Sequence, residues 1–375
     1  MTSVAGLRPP FRADHVGSLL RPPGLKALRL EREAGRATPE ALRAAEDAAI
    51  RDVVALQEGV GLQGITDGEM RRTAWHMDFL LQLGGLSSEG KKLPVTFTGK
   101  SGEMFFTRPD LSVTGRVTRR EPIFVEGFRF LRSVVQRTAK LTLPSPSMLY
   151  TQVGAANIDR QIYRSLDAFG EDTIAAYRAE IADLYAAGCR YLQLDDVSLA
   201  YLCDEAMRDQ GRQRGDDPDA QLALSVKMVQ GVLRDQPRDL TVCTHLCRGN
   251  FRSSWRAQGG YERVAETIFT QMPYHGFFLE FDDARSGDFS PLRHVPKGVR
   301  VVLGLVTSKS GALERKDDLK RRLDDAAKHL PLEQLCVSPQ CGFSSTVEGN
   351  EIGADQQRAK LALCVELAHE VWGGL

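Results

Sequence analysis

With 375 residues, 42% of them hydrophobic, the chain is long enough for one large α/β barrel or two ordinary domains. Lys plus Arg and Asp plus Glu number 49 each, and a formal charge of zero gives no global pull toward nucleic acid or an anionic membrane. Met1 to Arg12 holds no apolar run of the signal-peptide kind, no stretch has the length and apolarity of a membrane span, and seven cysteines spread through so long a chain suit reduced thiols and a metal site. A cytoplasmic protein acting on small molecules is therefore expected.

Apolar runs of strand length alternate with helical patterns from one end to the other. The candidate strands lie near His15-Val16-Gly17-Ser18, Gly64-Ile65-Thr66-Asp67, Lys140 to Leu143, Tyr191 to Asp195, Leu240 to His245, Phe277 to Glu280, Val301 to Leu305 and Cys336-Val337-Ser338. Eight strands with helices between them is the count of a (β/α)8 TIM barrel. Thr38-Pro39-Glu40 opens a helix as an N-cap with proline at the first turn, and Leu42, Ala45, Ala49, Val53 and Leu56 continue it to Gly59. Ile174, Tyr177, Ile181 and Leu184 mark another before Gly188, and weaker helical patterns cover 220–233, 261–271, 316–330 and 356–371. Residues 94–126 break the rhythm. Val95-Thr96-Phe97-Thr98, Ser112 to Val117 and Pro122-Ile123-Phe124-Val125 predict an antiparallel insertion between the second and third strands, suited to a lid or an oligomer contact. Gln210 to Asp217 reads as a solvated loop. One catalytic barrel over residues 1–375 accounts for the whole pattern.

The chemistry gathers at strand ends. Side chains alternate along a strand, so His245 and Cys247 in Thr244-His245-Leu246-Cys247-Arg248-Gly249-Asn250 point the same way. The strand ending in Glu280 and the one followed by Cys341 would bring a carboxylate and a second thiolate beside them. His245, Cys247, Glu280 and Cys341 form a borderline-soft set that suits tetrahedral zinc. Cys243 shares that face but lies roughly 7 Å deeper, which predicts packing; Cys189, Cys203, Cys336 and Cys364 read as small buried hydrophobes. Two thiolates keep a zinc-bound substrate sulfur nucleophilic, so the set leans toward sulfur alkylation and away from hydrolysis. Glu69 and Asp195, at the ends of two other strands, can serve as general acids or bases or grip an ammonium group. Asp67 and Asp196 fit helix caps or arginine partners better. Val16-Gly17-Ser18 offers a hydroxyl and close backbone approach to a carboxylate.

These residues together resemble the cobalamin-independent methionine synthase family. The resemblance runs through His15 to Pro22, Asp67-Gly68-Glu69, Gln193-Leu194-Asp195, His245 to Phe251, Leu279 to Asp282 and Ser338 to Gly342, in family order and in the short, single-barrel form of the catalytic half. It implies a zinc-bearing barrel that activates homocysteine and methylates it from 5-methyltetrahydrofolate or a simpler donor, with Ser18 on the amino-acid carboxylate and Glu69 and Asp195 on its ammonium group. Two stretches depart from the family. Leu143 to Tyr150 stands where a Gly-Pro-Val-Thr-like turn and a tryptophan are usual, and Leu305 to Ser310 lacks the family histidine, leaving His76, Lys309 or water to supply a proton. A zinc-dependent transferase adding another thiol such as coenzyme M to epoxides, and a non-catalytic zinc-stabilised binding barrel, are the alternatives. Reliance on Arg21, Arg71 or Lys309 would mark a sulfonate-bearing thiol.

Overall fold

A computed structural model describes residues 8–88, 92–100 and 102–375. Met1 to Leu7, part of the stretch read as lacking a signal sequence, lie outside the described residues, as does residue 101 of the expected insertion. The strands in chain order are β1 (Gly64–Ile65), β2 (Gly84–Ser87), β3 (Lys92–Gly99), β4 (Gly102–Pro109), β5 (Ser112–Thr118), β6 (Thr138–Pro144), β7 (Tyr191–Asp195), β8 (Thr241–Leu246), β9 (Gly276–Glu280), β10 (Arg300–Val306) and β11 (Leu335–Pro339). Seven of them pair in parallel in the order β1-β6-β7-β8-β9-β10-β11. Every residue of β7, β9 and β11 is buried, which is why these strands read in the sequence as unbroken apolar runs.

The sheet curls until both of its outer strands meet one segment near the N-terminus. Ala13 makes a parallel bridge to Val337 of β11, while His15 Nε2 lies 3.1 Å from the Gly64 carbonyl oxygen of β1. Side chains hold this segment more than backbone pairing does. Lys140 Nζ donates to Asp14 Oδ1 at 2.9 Å and to the His15 carbonyl at 2.6 Å, and Tyr191 donates its hydroxyl to Asp14 Oδ2 at 2.7 Å. Lys140 and Asp14 are fully buried. Around them Phe11, Val16, Tyr191, Cys243, Phe278, Val302 and Cys336 form an apolar floor, so Cys243 packs as expected.

Helices cover the outside of the sheet. Thr38 accepts the Ala41 N–H and starts the helix Pro39–Gly59; Ser165 does the same for Leu166–Ala186, and Asp217 for Pro218–Leu233. Glu262–Gln271, Lys316–Ala327 and Ala354–Trp372 fall where helical periodicity predicted them.

Between β1 and β6 the chain forms two antiparallel pairs, β2 with β5 and β3 with β4. Pro122 to Val125 is not a strand as expected. The Glu180 carboxylate accepts the N–H groups of Ile123 and Phe124, and the chain turns there into the helix Val125–Val134. The expected loop at 210–217 is also corrected. Its first part belongs to the helix Glu205–Gln213, capped by Asp204, and Asp216 is buried, accepting the Tyr150 hydroxyl at 3.2 Å and the Ala155 N–H at 2.9 Å.

Candidate metal centre and pocket

The end of β8 and the turn after β11 meet above the apolar floor. One ligand atom from each of His245, Cys247 and Cys341 lies within 4.8 Å of the others, all three residues are buried, and the two sulfurs are 3.6 Å apart. Neither ring nitrogen of His245 has a hydrogen-bond partner, an arrangement that a buried imidazole rarely keeps unless it faces a metal or a ligand. One thiol donates to the other: that contact, more than burial, raises Cys247 and lowers Cys341. Burial pulls the His245 imidazole down, but the adjoining Cys341 sulfur outweighs it and the net shift is upward. One imidazole and two thiols, unpaired with anything else of opposite charge, fit the donor set of zinc.

Glu280 departs from the expected set of four. It is fully buried, yet its oxygens are already engaged: Oε1 accepts from Arg285 at 2.6 Å and from Lys309 at 3.1 Å, and Oε2 accepts the Arg248 N–H at 2.6 Å. Burial would raise this carboxyl, but Lys309, Arg285 and Arg248 hold it well below the usual range. It does not join the three-residue group, because three donors compete for it.

Beside the metal group stand the two acids. Asp67 accepts the Glu69 N–H at 2.8 Å, and this turn, with Gly68 and Glu69 at φ of 63° and 59°, aims Glu69 inward. Its Oε1 accepts the Thr142 hydroxyl at 2.8 Å and lies 3.3 Å from Arg72, so the arginine pairing expected of Asp67 belongs to Glu69. Oε2 has no hydrogen-bond partner, and burial raises the carboxyl. Asp195 accepts from Gln193 at 2.6 Å and is pushed up to about 7 by burial, against the pull of His245. Asp196 caps the next helix through the Ser198 and Leu199 N–H groups, as expected. Ser18 Oγ accepts the Ser344 N–H at 3.4 Å and sits against Gly342, where a Cβ would lie 1.9 Å away.

Ser18, Glu69, Asp195, His245, Cys247 and Cys341 all line one pocket of about 770 Å³, open on one side. The pocket's outer half is made of residues that sequence reasoning missed. Phe97 and Phe106 of the β3–β4 pair stack near Phe251, with centroids 5.5 and 4.9 Å from it, and Trp75, Tyr201, Arg108 and Arg256 complete the wall. Inward alternation of Val95 and Phe97 was the available signal, but it does not say which cavity a hairpin covers. His76 is there too, pushed down to about 3 by burial and by Arg108, so it is a neutral imidazole and no reservoir of acidic protons. Lys309 is spent on Glu280 and Asp282. Arg21 bonds the carbonyls of Leu19 and Ser344, and Arg71 pairs with Glu46 and Asp47.

A model of the catalytic domain of cobalamin-independent synthase matches residues 11–370. The uncharacterized Bacillus subtilis proteins YxjG and YxjH are 44% and 43% identical, over 99% of this chain and 97% and 99% of theirs. A 5-methyltetrahydropteroyltriglutamate–homocysteine methyltransferase of Synechococcus is 24% identical over 90% of this chain and 41% of its own length. Among solved structures, a Listeria monocytogenes protein provisionally assigned as a vitamin-B12-independent methionine synthase superposes with a TM-score of 0.77 at 34% identity, covering 97% of this chain and 98% of that one. A B12-independent methionine synthase from Shewanella, solved with selenomethionine, shares the fold at a TM-score of 0.71 and 18% identity, over 96% and 97% of the two chains.

Proposed function

Because the chain belongs to the cobalamin-independent synthase catalytic-domain family, we propose that it is a zinc-dependent methyltransferase that makes methionine by moving a methyl group from 5-methyltetrahydrofolate or a simpler donor to homocysteine. The fold proposed for it is a single (β/α)8 barrel over residues 1–375, closed by the 11–16 segment, with the antiparallel pairs as an insertion between its second and third strands. The observation that carries the reading is the shared pocket: a buried imidazole with no partner and two thiols face the same space as two buried acids.

His245, Cys247 and Cys341 would hold the zinc. Glu280 is the fourth donor of the set, and to coordinate it must exchange a contact with Arg285 or Lys309. Zinc bound there would keep the acceptor's sulfur a thiolate at neutral pH. Glu69 and Asp195 grip the ammonium group of homocysteine, and the unpartnered Glu69 Oε2 is the oxygen left free for it. Ser18 receives the carboxylate. Held at both ends, the amino acid presents its sulfur on one line of approach, which is the main contribution these residues make to rate. In the transfer a sulfur–carbon bond forms and the donor's nitrogen–methyl bond breaks; the proton lost by the thiol balances the one taken up by the leaving nitrogen.

An acceptor such as coenzyme M has no ammonium group and would leave two buried acids facing nothing, which favours homocysteine. The test is a single turnover with zinc-loaded protein in excess over 5-methyltetrahydrofolate, homocysteine present, and methionine measured by mass spectrometry. Methionine in proportion to the donor supplied is expected. None from protein that holds zinc and binds homocysteine would remove the folate donor.

A further inference from the structure

The outer pocket contains two arginines that answer to no acid. Arg108, on β4, is buried, and its Nη1 donates to the carbonyls of Pro109 at 2.9 Å and Gln152 at 3.3 Å. Arg256 lies over the Tyr201 ring with its guanidinium carbon 5.1 Å from the centroid. Among the described residues neither makes a salt bridge, in a protein where most other arginines near the pocket, such as Arg21, Arg72 and Arg285, are paired. The two are brought together by pairing of Thr98 on β3 with Trp255: Thr98 donates to the Trp255 carbonyl at 2.6 Å, and Trp255 donates back at 2.9 Å. Arg256 is also tied to the metal-bearing segment, its N–H donating to the Arg248 carbonyl at 2.9 Å.

Two guanidiniums facing one partly enclosed space repel each other, and burial followed by Arg256 brings Arg108 down to about 10. Left unpaired, they are a latent anion site, since each planar fork can take a carboxylate or phosphate by two parallel hydrogen bonds. The aromatic faces nearby would otherwise suit a methylated onium cation. Two fixed positive charges reverse that preference. The acceptor's own charges are already matched deeper in the pocket, by Glu69, Asp195 and Ser18 in the proposed reading.

We infer that Arg108 and Arg256 form an anion-binding subsite for the methyl donor, so that the donor is a molecule with an apolar or aromatic body and a carboxylate or phosphate end, and sulfonium or quaternary ammonium donors are rejected. This rests on the proposed function above for which substrate lies deeper. The Phe97, Phe106 and Phe251 wall takes the body, and the two guanidiniums hold its charged end at the mouth.

The test is calorimetric titration of the zinc-loaded protein, with homocysteine present, using 5-methyltetrahydropteroylglutamate as the anionic probe and trimethylsulfonium as the onium probe. Expected are binding of the anion that weakens with salt, no measurable binding of the onium, and anion affinity reduced about tenfold or more in Arg108→Gln and in Arg256→Gln. Arg108→Lys, which keeps the charge, should recover part of the loss. Homocysteine titrated alone into each variant should bind within about twofold of wild type, which also shows that the variants are folded. Equal binding of the two probes, no binding of the anion to wild type, or anion binding indifferent to both arginines would overturn the inference. So would loss of homocysteine binding in the arginine variants, which would place the guanidiniums on the acceptor. Failure of wild type to bind homocysteine would count against the proposed function instead, and the onium and anion titrations would then be read without it.

Discussion

Replacing His15 with Gln should flatten the acid side of the stability curve. His15 is 1% exposed, one nitrogen lies 3.1 Å from the Gly64 carbonyl and the other has no partner. Burial, then the Lys140 ammonium, pushes its imidazole down to about 4, against an ordinary value near 6.5 in the unfolded chain. Between those two values the unfolded chain binds a proton at this position and the native protein does not, so native stability falls as pH drops, by about 1.4 kcal/mol per unit. The full range is worth about 3 kcal/mol, and the part between pH 7 and pH 5 about 2 kcal/mol. Above pH 6.5 the group contributes no pH dependence. Glutamine can still donate to the Gly64 carbonyl and does not titrate. Urea unfolding of the wild type and of His15→Gln at pH 7 and pH 5 gives four stabilities, and the difference of differences cancels any constant loss from the substitution and any effect common to both proteins, zinc release included. The wild type should lose about 2 kcal/mol more than the variant on acidification. Equal losses would refute the claim that His15 is buried neutral.

The remaining predictions divide between floor and site. Lys140→Met leaves Asp14 charged and buried and should cost about 3–5 kcal/mol in urea unfolding, part of which Asp14→Asn added to it should restore; additive losses would contradict the pairing. Cys247→Ser or Cys341→Ser should bring metal content, measured by mass spectrometry, close to zero, while Cys243→Ser should keep about one zinc per chain. Gly342→Ala places a Cβ 1.9 Å from Ser18 Oγ and must turn that hydroxyl away. Its KM for homocysteine should rise about tenfold, as in Ser18→Ala, with no further rise in the double variant.

The parallel sheet was legible because burial on both faces leaves an uninterrupted apolar signature. Tyr191–Asp195 was read to the residue, and the helix Pro39–Gly59 announced both of its ends through Thr38 and Gly59. The first strand was not so readable. Its backbone pairs at Ala13, before the stretch His15 to Ser18 that looked like the strand, and the Asp14–Lys140–Tyr191 bonds that hold it join residues more than a hundred positions apart. Pro122 to Val125 misled for a related reason. Four residues of strand propensity cannot outweigh the Glu180 carboxylate, which caps the chain into a helix from a distant position.

The same division runs through the site. His245, Cys247 and Cys341 could be placed together from the sequence because strand ends in a parallel sheet converge, and the alternation of side chains says which of them point inward. Glu280 sits at such an end too, but whether a carboxylate ligates depends on what else competes for it. Arg285 and Lys309 are loop residues whose approach no periodicity encodes. The donor side lies at the far end of that scale. Arg108 and Arg256 belong to a hairpin and a loop that meet through the bridge between Thr98 and Trp255, a contact fixed by tertiary packing. In a barrel of this kind the chemistry that strands position is readable from order and spacing, while substrate selection is built by the loops that cover it. That is why the acceptor's residues were named in advance and the donor's were not, and why identifying the donor turns on two arginines that no strand end carries.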